Sequence, residues 1–384
     1  MSTTASRTVP FNRPYVSERE LDYVAEAVHN GRTSGDGPFT RRATALLAEL
    51  TGARQALLTT SCTHALEMSA LLLGLRPGDE VIVPSFTFMS TANAYVLRGA
   101  VPVFADCRPD TLNIDERLVE AAITERTRAI AVVHYAGVGC AMEELGKLAD
   151  RYDLALVEDN AHGLGGSYQG RPLGSFGALA AQSFHETKNV QCGEGGALLV
   201  NDEELASRAE IIREKGTDRS RFFRGQVDKY RWVDLGSSYL PSDLLAAQLT
   251  AQLESFEVIQ RRRLAVWRAY DEGLAGWAES NGVHRPTVPE GCEHPAHLYY
   301  LLLPDLATRQ AFIGHLADRG VGAAFHYQPL HDAPAGVRHG RPAPGGCPVT
   351  ERVADTLVRL PLFAGLGEED VAHVIGAVRE FEVR

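Results

Sequence analysis

Apolar and polar positions change their period several times along this chain. Between Ser17 and Asn30 the apolar residues Leu21, Val24 and Val28 recur at helical spacing. Ser17, followed three residues later by Glu20, has the form of an N-cap with a capping box and predicts where that helix starts. Residues 1–14 carry no such pattern and read as an irregular arm. The glycine-rich stretch GRTSGDGPF, residues 31–39, predicts a loop, and a second helix runs through Leu46, Leu47 and Leu50. Short apolar runs then appear at Ala56–Thr60, Glu80–Pro84, Val101–Asp106, Ala129–Tyr135 and Leu154–Asp159, with helical patterns such as His64–Leu75 and Asp115–Ile123 between several of them. Strands alternating with helices build a largely parallel sheet covered on both faces. Leu179–Phe184 and Gly196–Val200 extend the set of strands, and helical segments resume at Glu203–Lys215 and Asp243–Arg268.

Beyond about residue 250 the character changes. A long helix through Leu253, Ile259 and Leu264 leads to a strand-like run at His297–Leu303, a helix at Thr308–Arg319, the segment FHYQPLH and a last helix at Glu368–Phe381. The expected division is a large α/β domain over 1–250, including the N-terminal arm, and a small C-terminal domain over 251–384.

Composition narrows the function. The 384 residues are 45% apolar and 23% charged, as in a soluble globular protein, and 38 basic against 49 acidic residues give a net charge of −11. That balance argues against a nucleic-acid partner, while a local basic patch still suits an anionic small substrate. Six cysteines lie far apart with no CxxC pair, so neither a disulfide framework nor a zinc site is indicated. The first residues contain no apolar signal segment and no apolar run is long enough to span a bilayer; the expectation is a cytoplasmic enzyme without a membrane partner.

The expected strand ends hold TTSCTHAL, PSFTFMS, HYAG, EDNAHG and SFHETK, and open α/β sheets bind ligands at those ends. TTSCTHAL turns from strand to helix, so its first-turn N–H groups and the Thr63 hydroxyl suit a phosphate; the same residues also suit plain N-capping by Ser61 or Thr63. Asp159 ends the run LALVED, where a carboxylate can hold a proton on a pyridine nitrogen or simply cap a helix. His162 follows three residues later and suits either a phenolic-oxygen contact or a structural place. Lys188 stands between a strand and the GEGG turn; a lysine in a desolvated site loses its proton readily and attacks an aldehyde carbon. Ser183 and His185 flank it.

EDNAHG, SFHETKNVQCGEGGALLV and FHYQPLH resemble the fold-type-I, pyridoxal phosphate (PLP)-dependent nucleotide-sugar aminotransferases of the DegT/DnrJ/EryC1/StrS type. The resemblance runs nearly end to end, from PFNRPYVSERELDYV and SGDGPFTRR to RLPLF. It implies an aspartate-aminotransferase-like α/β fold with a mostly parallel central sheet and a smaller C-terminal α+β domain. It also implies a homodimer with shared active sites, and PLP as cofactor with pyridoxamine phosphate (PMP) as its intermediate form. Lys188 matches the Schiff-base lysine, Asp159 the pyridine-nitrogen partner, and Phe88 the aromatic residue stacked on the ring. Cys62, through its backbone, Thr63 and Ser183 match phosphate contacts. His162 falls where many members carry glutamine. His185, Tyr327 and His331 fall with the substrate. Many members reach the neighbouring subunit's phosphate with an asparagine; this chain has GSSYLPSD there, with Ser237, Ser238 or Tyr239 as replacements.

SFHETKN and the stretch REKGTDRSRFFRGQVDKYRWVDLGSSYLPSDLLAAQL are most similar to the branch acting on TDP-4-keto-6-deoxyglucose. The implied reaction moves an amino group from an amino acid, with L-glutamate the expected donor, to C4 of that sugar. Arg219, Arg224 and Lys229, interleaved with Phe222, Phe223 and Tyr230, suit a pyrophosphate and a base, or an ordinary solvated loop. The alternatives are amination at C3 of a 3-keto sugar, a PLP-dependent sugar dehydratase, and a non-catalytic protein of the same fold. Related dehydratases carry histidine in place of the lysine, and a non-catalytic relative is expected to lose the lysine or the aspartate; Lys188 and Asp159 are both present.

Overall fold

The computed structural model describes residues 7–383. The N-terminal part holds α1 (Glu20–His29), α2 (Pro38–Thr51), β1 (Gln55–Thr59), α3 (Cys62–Leu72), β2 (Glu80–Pro84), α4 (Ser90–Val96), β3 (Val101–Ala105), α5 (Glu116–Ala122), β4 (Thr127–Val133), α6 (Met142–Tyr152) and β5 (Ala155–Asp159). A short ribbon, β6 (Ser167–Tyr168) and β7 (Arg171–Pro172), precedes β8 (Leu179–Ser183), β9 (Gly196–Val200), α7 (Glu203–Arg213) and the single-turn α8 (Arg219–Phe223). Then follow α9 (Asp243–Glu254), α10 (Phe256–Asn281), β10 (Cys292–Glu293), β11 (Tyr299–Leu302), α11 (Leu306–Asp318), α12 (Pro334–His339), β12 (Arg341–Pro342), α13 (Pro348–Thr356), β13 (Leu357–Leu360) and α14 (Glu368–Arg379).

The eight-stranded sheet has the order β1-β9-β8-β5-β4-β2-β3-β12. β8-β5-β4-β2-β3-β12 are parallel, and β9 runs antiparallel between β8 and β1. β2, β8 and β9 are buried along their whole length, because helices cover both faces; this is why they read as unbroken apolar runs. On one face α3 packs through Leu66 and Ala70 against Leu179, Ala181 and Leu198; on the other, Leu47 of α2 and Ala246, Ala247 and Leu249 of α9 meet Ala180, Ala197 and Leu199. A further core joins Val266, Tyr270 and Leu274 of α10 to Tyr299, Phe312, Val358 and Val374, with Val9 added through its bridge to Val321.

Two sequence expectations change and a third is met where it can be seen. The helix expected at Ser17 begins at Glu20 with Arg19 as N-cap: the Ser17 N–H donates to Glu20 Oε1 at 2.7 Å, but the Ser17 hydroxyl is buried without a partner, so half of the capping box forms. The helix expected over Asp243–Arg268 is two, broken at Ser255, whose hydroxyl donates back to the Ala251 carbonyl at 2.9 Å. The expected arm is irregular over Arg7–Pro14; its residues 1–6 lie outside the described residues. Among the described residues no helix is long and apolar enough to cross a membrane.

Candidate active site

The carboxyl ends of β5 and β8, the start of α3 and the segments around His297, His326 and Arg359 enclose a cavity of about 480 Å³. Cys62, Thr63, Phe88, Asp159, His162, Ser183, His185, Lys188 and Tyr327 all line it. Parallel strands bring Asp159 and Ser183 to one rim, and the loop after Ser183 folds Lys188 back into the cavity wall.

At the sheet end of the cavity, Ser61 caps α3, its hydroxyl accepting the His64 N–H at 3.1 Å. The N–H groups of Cys62 and Thr63 open the helix ahead of its internal hydrogen-bond ladder, and the positive end of the helix dipole adds to their pull on an anion. Thr63 Oγ1 shares a hydrogen bond of 2.8 Å with Ser90 Oγ. β9 passes directly beneath at Gly196, where a Cβ would run into the backbone of Ser61 and Cys62. Only glycine lets the strand approach this closely.

Asp159 is 5% exposed. Its Oδ2 accepts from Thr91 Oγ1 at 2.7 Å and its Oδ1 accepts from the Ala161 N–H at 3.1 Å. Burial raises its pKa, and the Thr91 hydrogen bond, the Ala161 N–H and the charge of Lys188 oppose that rise. Lys188 is pushed the other way: burial lowers its pKa to about 8, against the pull of Cys62 and Asp159, so the neutral amine is far more accessible than in an ordinary lysine. His162 is buried, stacked on His297 with ring centroids 4.1 Å apart, and its Nδ1 has no hydrogen-bond partner. Burial first, then the Lys188 charge, holds it neutral. Asn189, next to Lys188, accepts from His297 Nδ1 at 2.9 Å while its own amide donates to the Pro295 carbonyl at 2.7 Å, which fixes the ring beneath His162.

Four expected substrate contacts stand outside the cavity lining of their own chain. His331 is tied between Ser85 Oγ (2.7 Å) and Glu351 Oε1 (3.1 Å), outside the cavity lining. Arg219 pairs with Glu214 at 3.1 Å, Arg224 grips Glu210 through two N–H groups at 3.0 and 2.8 Å, and Lys229 is exposed; none of them lines the cavity. The cause is local: α8 folds against α7, and Glu210 of α7 and Glu214 just after it take the arginines. In GSSYLPSD, Tyr239 is buried beside His64 of α3, whereas Ser237 and Ser238 are exposed. Sequence reasoning missed Thr87, Thr91, His297, His326 and Arg359. The last two stood inside FHYQPLH and RLPLF without an assigned role, and Thr91 lies on a helix too short for its period to show.

The residues present fit pyridoxal phosphate. A buried carboxylate faces the cavity, a buried imidazole nitrogen there lacks a partner, a helix start cradled by Gly196 suits a phosphate, and a largely desolvated amine lies in the same wall. Residues 14–379 match the DegT/DnrJ/EryC1/StrS aminotransferase family. The spore coat polysaccharide biosynthesis protein SpsC of Bacillus subtilis is 33% identical over 379 residues, covering 97% of this chain and 96% of that one. The crystal structure of the aminotransferase TlmJ from Streptoalloteichus hindustanus is 34% identical with a TM-score of 0.88, covering 97% of this chain and 98% of that one. Spr1654 from Streptococcus pneumoniae, solved in PLP and PMP forms, is 29% identical in the PMP form with a TM-score of 0.89, covering 97% of each chain. This chain belongs to the DegT/DnrJ/EryC1/StrS aminotransferase family and is a pyridoxal-phosphate-dependent aminotransferase of fold type I.

Proposed function

We propose that this enzyme transfers an amino group from an amino acid, L-glutamate by family resemblance, to C4 of TDP-4-keto-6-deoxyglucose, giving a TDP-4-amino-4,6-dideoxyhexose. The observation that carries the amino-transfer chemistry is Lys188, whose amine burial brings to a pKa of about 8 in the same cavity as the buried carboxylate of Asp159. The nucleotide-sugar reading is supported by the family resemblance and by SpsC, a relative named for polysaccharide biosynthesis. The C4 reading rests on the likeness of SFHETKN and of the Arg213–Leu249 stretch to that branch. The acceptor is expected to meet the site in a homodimer, where the largely exposed 219–231 segment supplies cations and aromatic rings to a neighbouring cavity.

The first turn of α3, Thr63 and Ser183 would hold the cofactor's phosphate, Phe88 and His162 would border its ring, and Asp159 would keep its nitrogen protonated. Bound there, pyridoxal phosphate supplies an aldehyde carbon for amine exchange and a protonated ring that takes up the electron pair left when a carbon gives up its proton. Lys188 Nζ, whose proton burial has loosened, takes the proton from the donor's α-carbon and in the second half of the cycle delivers one to the acceptor's carbon. Asp159 can hold its charge because Thr91 and the Ala161 N–H are already turned toward it. The test is incubation with PLP, L-glutamate and TDP-4-keto-6-deoxyglucose, followed by NMR of the product. The C4 proton couplings report both position and configuration. An amino sugar formed from a 3-keto isomer but not from this ketone would overturn the C4 assignment.

A further inference from the structure

Several buried polar groups converge on a ring that no step described so far uses. His297, just before β11, lines the cavity and is almost fully buried. The carbonyls of three consecutive residues there are all taken. Pro295 accepts from Asn189 Nδ2 at 2.7 Å and from Gln260 Nε2 at 3.3 Å; Ala296 and His297 accept from Nε and Nη2 of Arg263 at 3.1 and 2.6 Å. Gln260 and Arg263 are buried neighbours on one face of α10. In extended backbone successive carbonyls alternate in direction, so one helix face cannot serve three in a row. Ala296 resolves this with a φ of 48°, a left-handed conformation that a residue with a Cβ keeps only where its surroundings hold it.

The same contacts fix the proton on the ring. The Pro295 carbonyl can only accept, so the Asn189 nitrogen faces it and Asn189 Oδ1 faces His297 Nδ1 at 2.9 Å. Nδ1 therefore carries the ring proton of His297. Burial first, then His162, Lys188, Arg263 and Arg359, oppose a second proton there. On His162, burial, Lys188, His326 and Arg359 act in the same direction; Tyr135 meets its ring edge-on at 5.9 Å, and Asp159 lies in the same cavity lining. His162 thus lies on a neutral ring, with centroids 4.1 Å apart and planes 25° from parallel, and its own Nδ1 has no partner among the described residues.

We propose that His297 is a positioning residue that holds the His162 ring ready to donate an N–H to the phenolic oxygen of pyridoxal phosphate. The inference rests on the reading above that His162 borders the cofactor's ring. An imidazole free to turn about its side-chain bonds offers that donor only part of the time; a stacked ring anchored through Asn189 and Arg263 removes the freedom. An N–H donated to the phenolic oxygen stabilises its negative charge and makes it a poorer acceptor for a proton on the nitrogen of Lys188. Lys188 bound to the cofactor then releases that proton at lower pH, and its nitrogen is ready to take the proton of an incoming ammonium group. Asn189 directly follows Lys188, so the anchor of the stack and the reacting amine belong to one short loop.

The test is an absorbance titration of the PLP-loaded protein without donor or acceptor, which reads the proton on the cofactor-bound Lys188 nitrogen. His162→Phe, which removes the donor, is expected to raise the midpoint by about one pH unit, the scale of one hydrogen bond to a charged oxygen. His297→Leu raises it in the same direction, and His297→Phe, which keeps a ring for His162 to lie on, restores part of the shift. The double variant His162→Phe/His297→Leu matches His162→Phe alone, because His297 acts through His162. A midpoint moved by His162→Phe but within about 0.3 unit of wild type in His297→Leu overturns the proposal alone; one moved by neither overturns the placement of His162 as well. Additive shifts in the double variant also overturn it, since His297 would then act on the lysine directly. Cofactor-free wild type gives a second measurement that needs no loaded variant. The imidazole nitrogen NMR signals should show both rings neutral between about pH 6 and 8, with the His297 proton on Nδ1. A ring that charges in that range, or a His297 proton on Nε2, overturns the proposal. Neither substrate enters these measurements, so an error in the C4 assignment leaves their results standing.

Discussion

Thr91→Val perturbs the electron sink without touching a cofactor-facing side chain. Thr91 Oγ1 donates to Asp159 Oδ2 at 2.7 Å, so at its 2.9 Å contact with Thr87 Oγ1 it is the acceptor, and the three residues form a chain, Thr87 to Thr91 to Asp159. Valine keeps the shape and removes the donor. A hydrogen bond to a buried carboxylate is worth about 1.5–3 kcal/mol. At 1.36 kcal/mol per unit that is about 1–2 pH units in the carboxyl's pKa. The direction follows from burial, which already raises Asp159 and which Thr91 is the first group to oppose. The variant's carboxylate therefore takes up its proton at higher pH than wild type's. The acid limb of the amino-acid half-reaction, followed by the loss of PLP absorbance at saturating glutamate, should move up by that amount. Thr87→Val, which removes only the donor behind Thr91, should move it less, because it acts through polarisation of the chain. An acid limb in Thr91→Val within about 0.3 unit of wild type would show that Asp159 is not the group being tuned.

Three further outcomes follow from the same geometry. Glu158 is buried and accepts the N–H groups of Gly174, Phe176 and Gly177 at 2.8, 2.7 and 2.7 Å and His134 Nε2 at 2.9 Å. In Glu158→Gln the amide nitrogen must face two of these donors, a cost of about 2–6 kcal/mol; at this chain length a melting temperature lower by about 3–7 °C is expected, and an unchanged one contradicts the count. Gly196→Ala places a methyl group in the backbone of Ser61 and Cys62 and should weaken PLP binding by about tenfold or more, measured by quenching of protein fluorescence; wild-type affinity would remove the phosphate cradle from α3. In cofactor-free protein Lys188 should titrate near 8, so about a tenth of it is neutral at pH 7 and about half at pH 8; the NMR signal of the reductively methylated lysine reads this, and a midpoint above 10 contradicts the desolvated setting.

What could be read from the sequence was what local chemistry decides. β2 and β9 are buried on both faces, so their apolar runs marked them to the residue. Lys188, Asp159 and the TTSCTHAL turn stood at strand ends, where parallel topology gathers side chains without further information. The break at Ser255 was not readable, because the apolar stripe continues from Leu253 to Ile259 across it. Arg359, His326 and His297 reach the cavity through the pairing of β11 with β13 and the packing of the segments around them, long-range contacts with no periodic signature. The pairings of the basic segment at 219–231 were equally out of reach of the sequence. Its spacing suits an anion, and within the chain Glu210 of α7 and Glu214 just after it pair with Arg224 and Arg219.

The central claim is that one amine, Lys188, carries the transfer chemistry. Reduction of the PLP-loaded protein with borohydride, followed by digestion and mass spectrometry, tests it most directly. A single phosphopyridoxyl group is expected on the peptide containing Lys188, none in Lys188→Ala, and no turnover of glutamate by that variant. Covalent label retained in Lys188→Ala, or mapped to another lysine in wild type, would contradict it.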